Sequence, residues 1–103
     1  MNIEKWTAKM QEAIQKAITM ASEMGHQVVD VEHFLLALLE DNAGILYRVL
    51  SKANVNIADL QNKLNVRLQG KPIVSNVDIN SIRISYDLNQ LLSLADKQMH
   101  NFK

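Results

Sequence analysis

Three histidines and one neighbouring carboxylate are the side chains of this sequence that could bind a metal ion. They are His26, His33 and His100, with Glu32 directly before His33. Adjacent residues on a helix point about 100° apart, so Glu32 and His33 are poorly placed to share one ion. The zinc motif H-E-x-x-H does not occur in the sequence. The histidines therefore predict no metal site.

Phosphate and nucleophilic chemistry find no support in the sequence either. A phosphate-binding loop reads G-x-x-x-x-G-K-[ST], but Asn65 stands where the first glycine is needed, and no Ser or Thr follows Gly70-Lys71. Neither a nucleophile with a matching base nor a pair of carboxylates stands out. We therefore expect no enzymatic activity and no cofactor in this chain.

The composition favours a soluble helical domain without highly charged partners. The 103 residues suffice for one core, and only three glycines and one proline interrupt the helix-forming residues. Eleven Lys and Arg balance eleven Asp and Glu, so no long-range field attracts nucleic acid or an anionic membrane. Because there is no cysteine and no apolar run long enough to span a membrane, we expect a cytoplasmic protein.

Apolar residues at helical spacing predict five helices and an all-α fold. The first helix is expected to begin at Thr7, whose hydroxyl would cap it, and to end near Gly25. The second follows Asp30, a candidate N-cap, and has the strongest amphipathic pattern in the chain. The remaining expected segments are a helix from Ile45 to Ala53, a helix from the Asn56 cap to Gly70, a linker over residues 71–84 with one short extended segment, and a helix from about Tyr86 to His100.

The last segment of the chain repeats the first. Moving residues 85–103 back by 78 positions sets Ser85 on Thr7 and Leu92 on Ile14, and each pair keeps its polar or apolar character. A second helical unit is thus expected to begin near Ser85 and to stop after one helix. Because stacked repeats bury faces that one unit cannot bury alone, apolar surface should remain uncovered.

This arrangement resembles the N-terminal domain of the Clp ATPases over almost the whole chain. The resemblance is carried by Gly25-His26, the segment from Val31 to Glu40, the stretch from Lys52 to Asn56, and the repeat. Within the family, the opening Met-Asn-Ile-Glu-Lys and the Asp-Val before the Glu-His pair are most similar to the ClpB disaggregases. ClpC-type chains tend to have Gly-Thr at that position.

The resemblance implies that the chain is one part of a longer protein. Family members carry two four-helix repeats ahead of their ATPase modules. Residues 1–70 would then be the first repeat, residues 71–84 a linker, and residues 85–103 the first helix of an incomplete second repeat. ATP and Mg²⁺ would be cofactors of the parent protein, which the resemblance implies to be a hexamer.

The function implied by the resemblance is binding of unfolded or hydrophobic polypeptide, or of an adaptor protein, in an apolar groove. Thr7, Leu88 and Leu92 are the residues assigned to this groove. Thr7 has the alternative role of a helix cap, and Leu92 that of a core residue. The ClpC-like alternative is an adaptor- or phosphoarginine-docking domain in which Glu32 binds the guanidinium group of the phosphoarginine. The structural alternative for Glu32 is an acid in the first turn of a helix, where the helix dipole favours it.

The fifth helix carries an apolar face that the helices missing from the second repeat would otherwise cover. Its members are Leu88, Leu91, Leu92, Leu94, Ala95 and Met99. We expect this face to be exposed, and two chains to associate through it by symmetric packing or by exchange of the helix.

Overall fold

Five helices and one pair of two-residue strands make up the described part of a computed structural model, which covers the backbone of residues 3–100 and the side chains of residues 8–94. The helices are α1 (Ile3–Glu23), α2 (Val31–Leu39), α3 (Ile45–Lys52), α4 (Ile57–Gln69) and α5 (Tyr86–His100). The strands are β1 (Val28–Val29) and β2 (Arg83–Ile84), and a 3-10 turn spans Ile79–Ser81. The predicted all-α fold is confirmed.

Local sequence explains where α2 and α4 begin. The carboxylate of Asp30 accepts hydrogen bonds from the Val31 N–H and the His33 N–H, and the His33 ring accepts one from the Asp30 N–H, which completes a capping box. At the start of α4, the Asn56 side chain accepts from the Asp59 N–H at 3.0 Å. Both predicted caps are therefore confirmed.

The first helix begins one turn earlier than predicted. α1 starts at Ile3, so the prediction that Thr7 is its N-cap is wrong, because the Thr7 backbone lies inside the helix. Glu4 and Lys5 are good helix formers, and an interior Thr costs at most about 0.7 kcal/mol, so nothing stops the helix from starting earlier. The Thr7 side chain lies outside the described residues.

A left-handed glycine ends α1, as predicted. Gly25 has a φ of 78°, and its N–H donates to the Ser22 carbonyl at 3.1 Å. The His26 N–H donates to the Ala21 carbonyl at 2.8 Å. This pair of hydrogen bonds satisfies carbonyl groups that the end of the helix would otherwise leave without partners.

One half of the core lies where α1, α2 and α5 meet. The small side chains of Ala13, Ala17 and Ala21 form a row along α1 and are almost fully buried. Such a row lets the neighbouring helix approach closely, and Phe34 of α2 packs against it. Leu88 of α5 is buried in the same cluster.

The other half of the core lies between α2 and α4. Leu36 and Leu39 of α2 pack against Leu64 and Leu68 of α4, and these four leucines are all buried. Because α2 contributes to both halves of the core, it is the central helix of the domain.

The segment between α4 and α5 is held against the end of α1. The Val74 N–H donates to the Gly25 carbonyl at 2.7 Å, and β2 pairs in parallel with β1, with Ile84 opposite Val29. β2 is the short extended segment predicted for the linker, whereas its pairing with β1 was not predicted. The division into residues 1–70, 71–84 and 85–103 stays a prediction.

Replacing Gly25 by alanine is expected to lower the free energy of unfolding by about 1–2 kcal/mol. A Cβ at this position would take on the unfavourable φ of 78° and would lie 2.8 Å from Ile73 Cγ2 and 3.3 Å from the Val74 carbonyl oxygen. Urea denaturation followed by circular dichroism measures the change.

Gly70→Ala is the matched control. Gly70 has a φ of -83°, and a Cβ there would meet only the Arg67 carbonyl oxygen, at an ordinary 3.5 Å. We expect a change within about 0.5 kcal/mol of the parent chain. If Gly25→Ala and Gly70→Ala lower the free energy of unfolding equally, a side chain at position 25 does not strain the left-handed turn.

Candidate functional site

Two of the residues assigned to a groove from the sequence, Leu88 and Leu92, face the core of the domain. Leu88 is only 1% exposed, because α5 packs on α2 and turns this side chain into the core. The prediction that Leu88 is exposed is therefore wrong. Leu92 is half-buried against the same core cluster, and the Thr7 side chain lies outside the described residues.

The outer side of α5 nevertheless presents apolar side chains. Leu88 and Leu92 are one turn apart and face inward, whereas Leu91 and Leu94 are 37% and 57% exposed. We call Leu91 and Leu94, which point only about 60° apart on the helix, the α5 leucine surface. The predicted self-association loses the contribution of Leu88 but keeps this surface, and the side chains of Ala95 and Met99 lie outside the described residues.

Glu32, the candidate phosphoarginine ligand, already faces a guanidinium. It lies in the first turn of α2, and its carboxylate is 3.8 Å from Nη1 of Arg67 on α4. The Glu32 side chain is 18% exposed and that of Arg67 is 75% exposed. An ion pair that reaches so far into solvent is weak, so it positions Arg67 loosely over the start of α2.

A shallow cleft lies elsewhere, between α1 and the end of α2. It is lined mainly by polar and charged side chains, namely Gln15, Lys16, Thr19, Met20, Glu23 and Glu40. Neither Leu88 nor Leu92, the groove residues whose side chains the structure describes, lines this cleft.

A hydrogen-bonded network lies where α2, the linker and α5 meet, and Asp30 is its centre. Ser85 Oγ donates to Asp30 Oδ1 at 2.7 Å, and Lys71 Nζ donates to Asp30 Oδ2 at 2.9 Å. On the other side, the Asp30 N–H donates to His33 Nδ1 at 2.9 Å, and His33 Nε2 lies 2.9 Å from His26 Nδ1. We call these five residues the Asp30 network.

The network keeps its carboxylate ionised. Burial raises the pKa of Asp30, but hydrogen bonds from Lys71, Ser85 and the Val31 N–H outweigh burial and lower that pKa to about 2. The hydrogen bond to Asp30 in turn raises the pKa of Lys71. At neutral pH the pair therefore carries one negative and one positive charge, with the two side chains 22% and 27% exposed.

The same surroundings keep both histidines neutral. Burial, followed by the charges of His26 and Lys71, lowers the pKa of His33 to about 4. Burial and then the charge of Lys71 lower the pKa of His26. The two rings meet edge to face, with their centroids 5.1 Å apart.

Comparison with known proteins identifies the family of this fold. The family model of the Clp repeat (R) N-terminal domain matches residues 5–103. The chain belongs to this family. Its relatives include the chaperone protein ClpB of Bacillus cereus strain ATCC 14579, which is 37% identical over 100 residues that make up 95% of this chain and 12% of the relative.

Other ClpB chaperones share the same region with this Clp N-terminal domain. ClpB of Vibrio cholerae serotype O1 and ClpB of Brucella suis biovar 1 are each 32% identical over 97 residues. These alignments cover 94% of this chain and 11% of each relative. The chain thus spans about one eighth of the length of the ClpB relatives it matches.

The Asp30 network of this Clp N-terminal domain was only partly predictable. The sequence identified Asp30 as a cap, but His33 is not the Glu or Gln that usually completes a capping box, so its role in the box had no sequence signal. The repeat indicated that a helix begins near Ser85, but no sequence signal paired Ser85 or Lys71 with Asp30, from which they are 55 and 41 positions away.

Metal binding by the histidines finds no support in the described part of the domain. There, no group of three or more His, Cys, Asp or Glu side chains is placed to hold an ion. His26 and His33 instead bond to each other. Among residues 3–100, every helix is too short or too polar to cross a membrane.

Proposed function

We propose that this Clp N-terminal domain binds exposed apolar segments of unfolded or aggregated polypeptide, or an adaptor protein, for a ClpB-like disaggregase of the cytoplasm. The observation that carries the proposal is its 30–37% identity to ClpB chaperones over nearly its whole length. ATP and Mg²⁺ binding, and assembly into a hexamer, are assigned to the parent protein. We propose no catalytic role for this domain itself.

The α5 leucine surface is the proposed contact region. Leu91 and Leu94 extend into solvent on one side of α5, so a ligand can cover both side chains without moving the core, and Leu92 stays a proposed neighbour on the inward side of the helix. Apolar burial contributes about 25 cal/mol per Å² and has no directional requirement. Such a surface suits a ligand that is apolar and variable in sequence. Thr7 on α1 remains a proposed neighbour of this contact region.

Charging the α5 leucine surface is expected to weaken binding of an unfolded protein at least tenfold. The variant is Leu91→Asp/Leu94→Asp, and the probe is reduced, carboxymethylated α-lactalbumin, which stays unfolded. Losing roughly 1.4 kcal/mol of apolar contact already gives a tenfold change in Kd. Isothermal titration calorimetry with the parent chain and the variant measures the difference.

Val66→Asp is the matched control for the same experiment. Val66 is 66% exposed on α4, so the change places one of the two added carboxylates on a different face of the domain. It should leave the affinity for carboxymethylated α-lactalbumin within twofold of the parent. Unchanged binding by the leucine variant, with helicity preserved, would exclude the α5 leucine surface as the contact region.

The ClpC-like alternative is tested with free phosphoarginine. Because Arg67 already pairs with Glu32, we expect no saturable binding of this amino acid at submillimolar concentration. Saturable binding that is lost in Glu32→Gln would instead favour the docking of phosphoarginine tags.

A further inference from the structure

The Asp30 network joins the start of α5 to the buried histidine pair. We propose that this network is an acid-operated latch, in which protonation of His26 or His33 releases α5 from α2 before the rest of the domain unfolds. This inference concerns a conformational change and does not depend on what the domain binds. It stands on the hydrogen-bond geometry of five side chains.

The geometry fixes the protons of both rings. His33 Nδ1 accepts from the Asp30 N–H, so this nitrogen carries no proton, and His33 Nε2 must carry one. That N–H lies 2.9 Å from His26 Nδ1, which therefore accepts it and leaves the His26 proton on Nε2. Both ring nitrogens that lack a proton are already hydrogen-bond acceptors.

An added proton consequently replaces an acceptor with a donor at either ring. On His33 Nδ1 it would point at the Asp30 N–H, and on His26 Nδ1 it would point at the N–H of His33. Each case sets two donors against each other and places a positive charge in a buried site. Losing a buried hydrogen bond and charging the site both disfavour the closed arrangement.

Some charged neighbours of the two rings favour the protonated histidines, and others oppose them. Lys71 from the linker opposes a positive charge on His26 and on His33, and the two rings oppose each other. Asp30 and Glu32 at the start of α2 favour a charged His33, although Glu32 is paired with Arg67 of α4. Burial is the largest effect at both rings, so the closed latch favours neutral histidines.

Asp30 transmits the change to α5. Its carboxylate accepts from Ser85 Oγ, which itself accepts from the Leu88 N–H at 3.1 Å and so caps α5. A protonated His33 attracts the Asp30 carboxylate and therefore competes with Ser85 for it. Ser85 loses the bond that holds the beginning of α5 beside the beginning of α2.

α5 is the helix that this loss can detach. Among its described side chains, Leu88 is the one that is buried, and Leu92 is half-buried. In contrast, α4 buries Leu64 and Leu68. Elements with few buried contacts open at lower free energy than the rest of a domain, so α5 opens before α4.

The test is hydrogen exchange measured by mass spectrometry on the whole chain at pH 7.5 and pH 4.5, corrected for intrinsic exchange rates. We expect protection at the start of α5 to fall at least tenfold at pH 4.5 and to stay at least tenfold below that of α4, which exchanges only when the whole domain unfolds. In His26→Gln/His33→Gln, whose amides can accept and donate without titrating, protection of α5 should change less than threefold. His100 is the last residue of α5, at the opposite end of the helix from Ser85, so His100→Gln should behave like the parent chain.

Two results would overturn the latch. In one, protection of α5 is the same at both pH values in the parent chain. In the other, α4 and α5 have equal protection at pH 4.5, which would mean that the histidines affect only global unfolding. Ser85→Ala provides a second variant that leaves the histidines intact, and it should show weak protection of α5 at both pH values. Strong, pH-dependent protection in Ser85→Ala would exclude Ser85 as the link.

Discussion

Asp30→Ala is expected to lower the free energy of unfolding by about 3 kcal/mol. The substitution removes the cap of α2 and the acceptor of the Ser85 hydroxyl, and it leaves the Lys71 ammonium without its carboxylate. A lost cap costs about 1 kcal/mol, and the partly exposed bonds from Ser85 and Lys71 contribute about 1 kcal/mol each. Urea denaturation at pH 7.5 measures the loss.

Two further variants separate the parts of this effect. Asp30→Asn keeps an oxygen acceptor for Val31 and Ser85, and Lys71→Met removes only the ion pair. Each should cost about 1 kcal/mol, well below the loss for Asp30→Ala. If Asp30→Ala costs no more than Lys71→Met, the cap and the Ser85 bond contribute nothing measurable.

Acidification from pH 6.5 to pH 4 is expected to lower the free energy of unfolding by about 3 kcal/mol. In the folded state the pKa of His33 is lowered to about 4, from 6.5 for an unperturbed histidine. Between these values the unfolded chain binds the proton that the folded chain excludes, so stability is full above pH 6.5 and falls as the pH decreases. His26 contributes in the same direction, since its pKa is also lowered.

Urea denaturation at several pH values between 7.5 and 4.0 tests this dependence. The window is distinct from that of Asp30, whose stabilisation is lost only between pH 3.8 and about 2. His26→Gln/His33→Gln should flatten the dependence above pH 4. A slope in this variant equal to that of the parent chain would assign the acid sensitivity to other groups.

The sequence predicted the helices well because their signals are local. Asp30 and Asn56 begin helices with side-chain caps, and Gly25 ends one with a left-handed turn. The predicted start of α1 was wrong because Thr7 can cap a helix, but the residues before it also form helix readily, so the sequence did not distinguish the two starts.

The contacts made by α5 could not be predicted in the same way. An apolar stripe shows that a helix has a face to bury, but it does not show which element covers that face. Leu88 was expected to be exposed, and it is instead covered by α1 and α2. The bonds from Asp30 to Lys71 and Ser85 depend on this packing, so a local pattern does not reveal them.

The parallel pairing of β1 and β2 has an electrostatic consequence for the whole domain. Because the strands run in the same direction and a helix follows each of them directly, α2 and α5 start side by side at one edge. The amino-terminal end of a helix carries a partial positive charge, and here two such ends meet around the carboxylate of Asp30, with Glu32 and Asp87 in their respective first turns. Asp30 is the carboxylate that bonds to both helix starts, so its charge couples the electrostatic energies of α2 and α5.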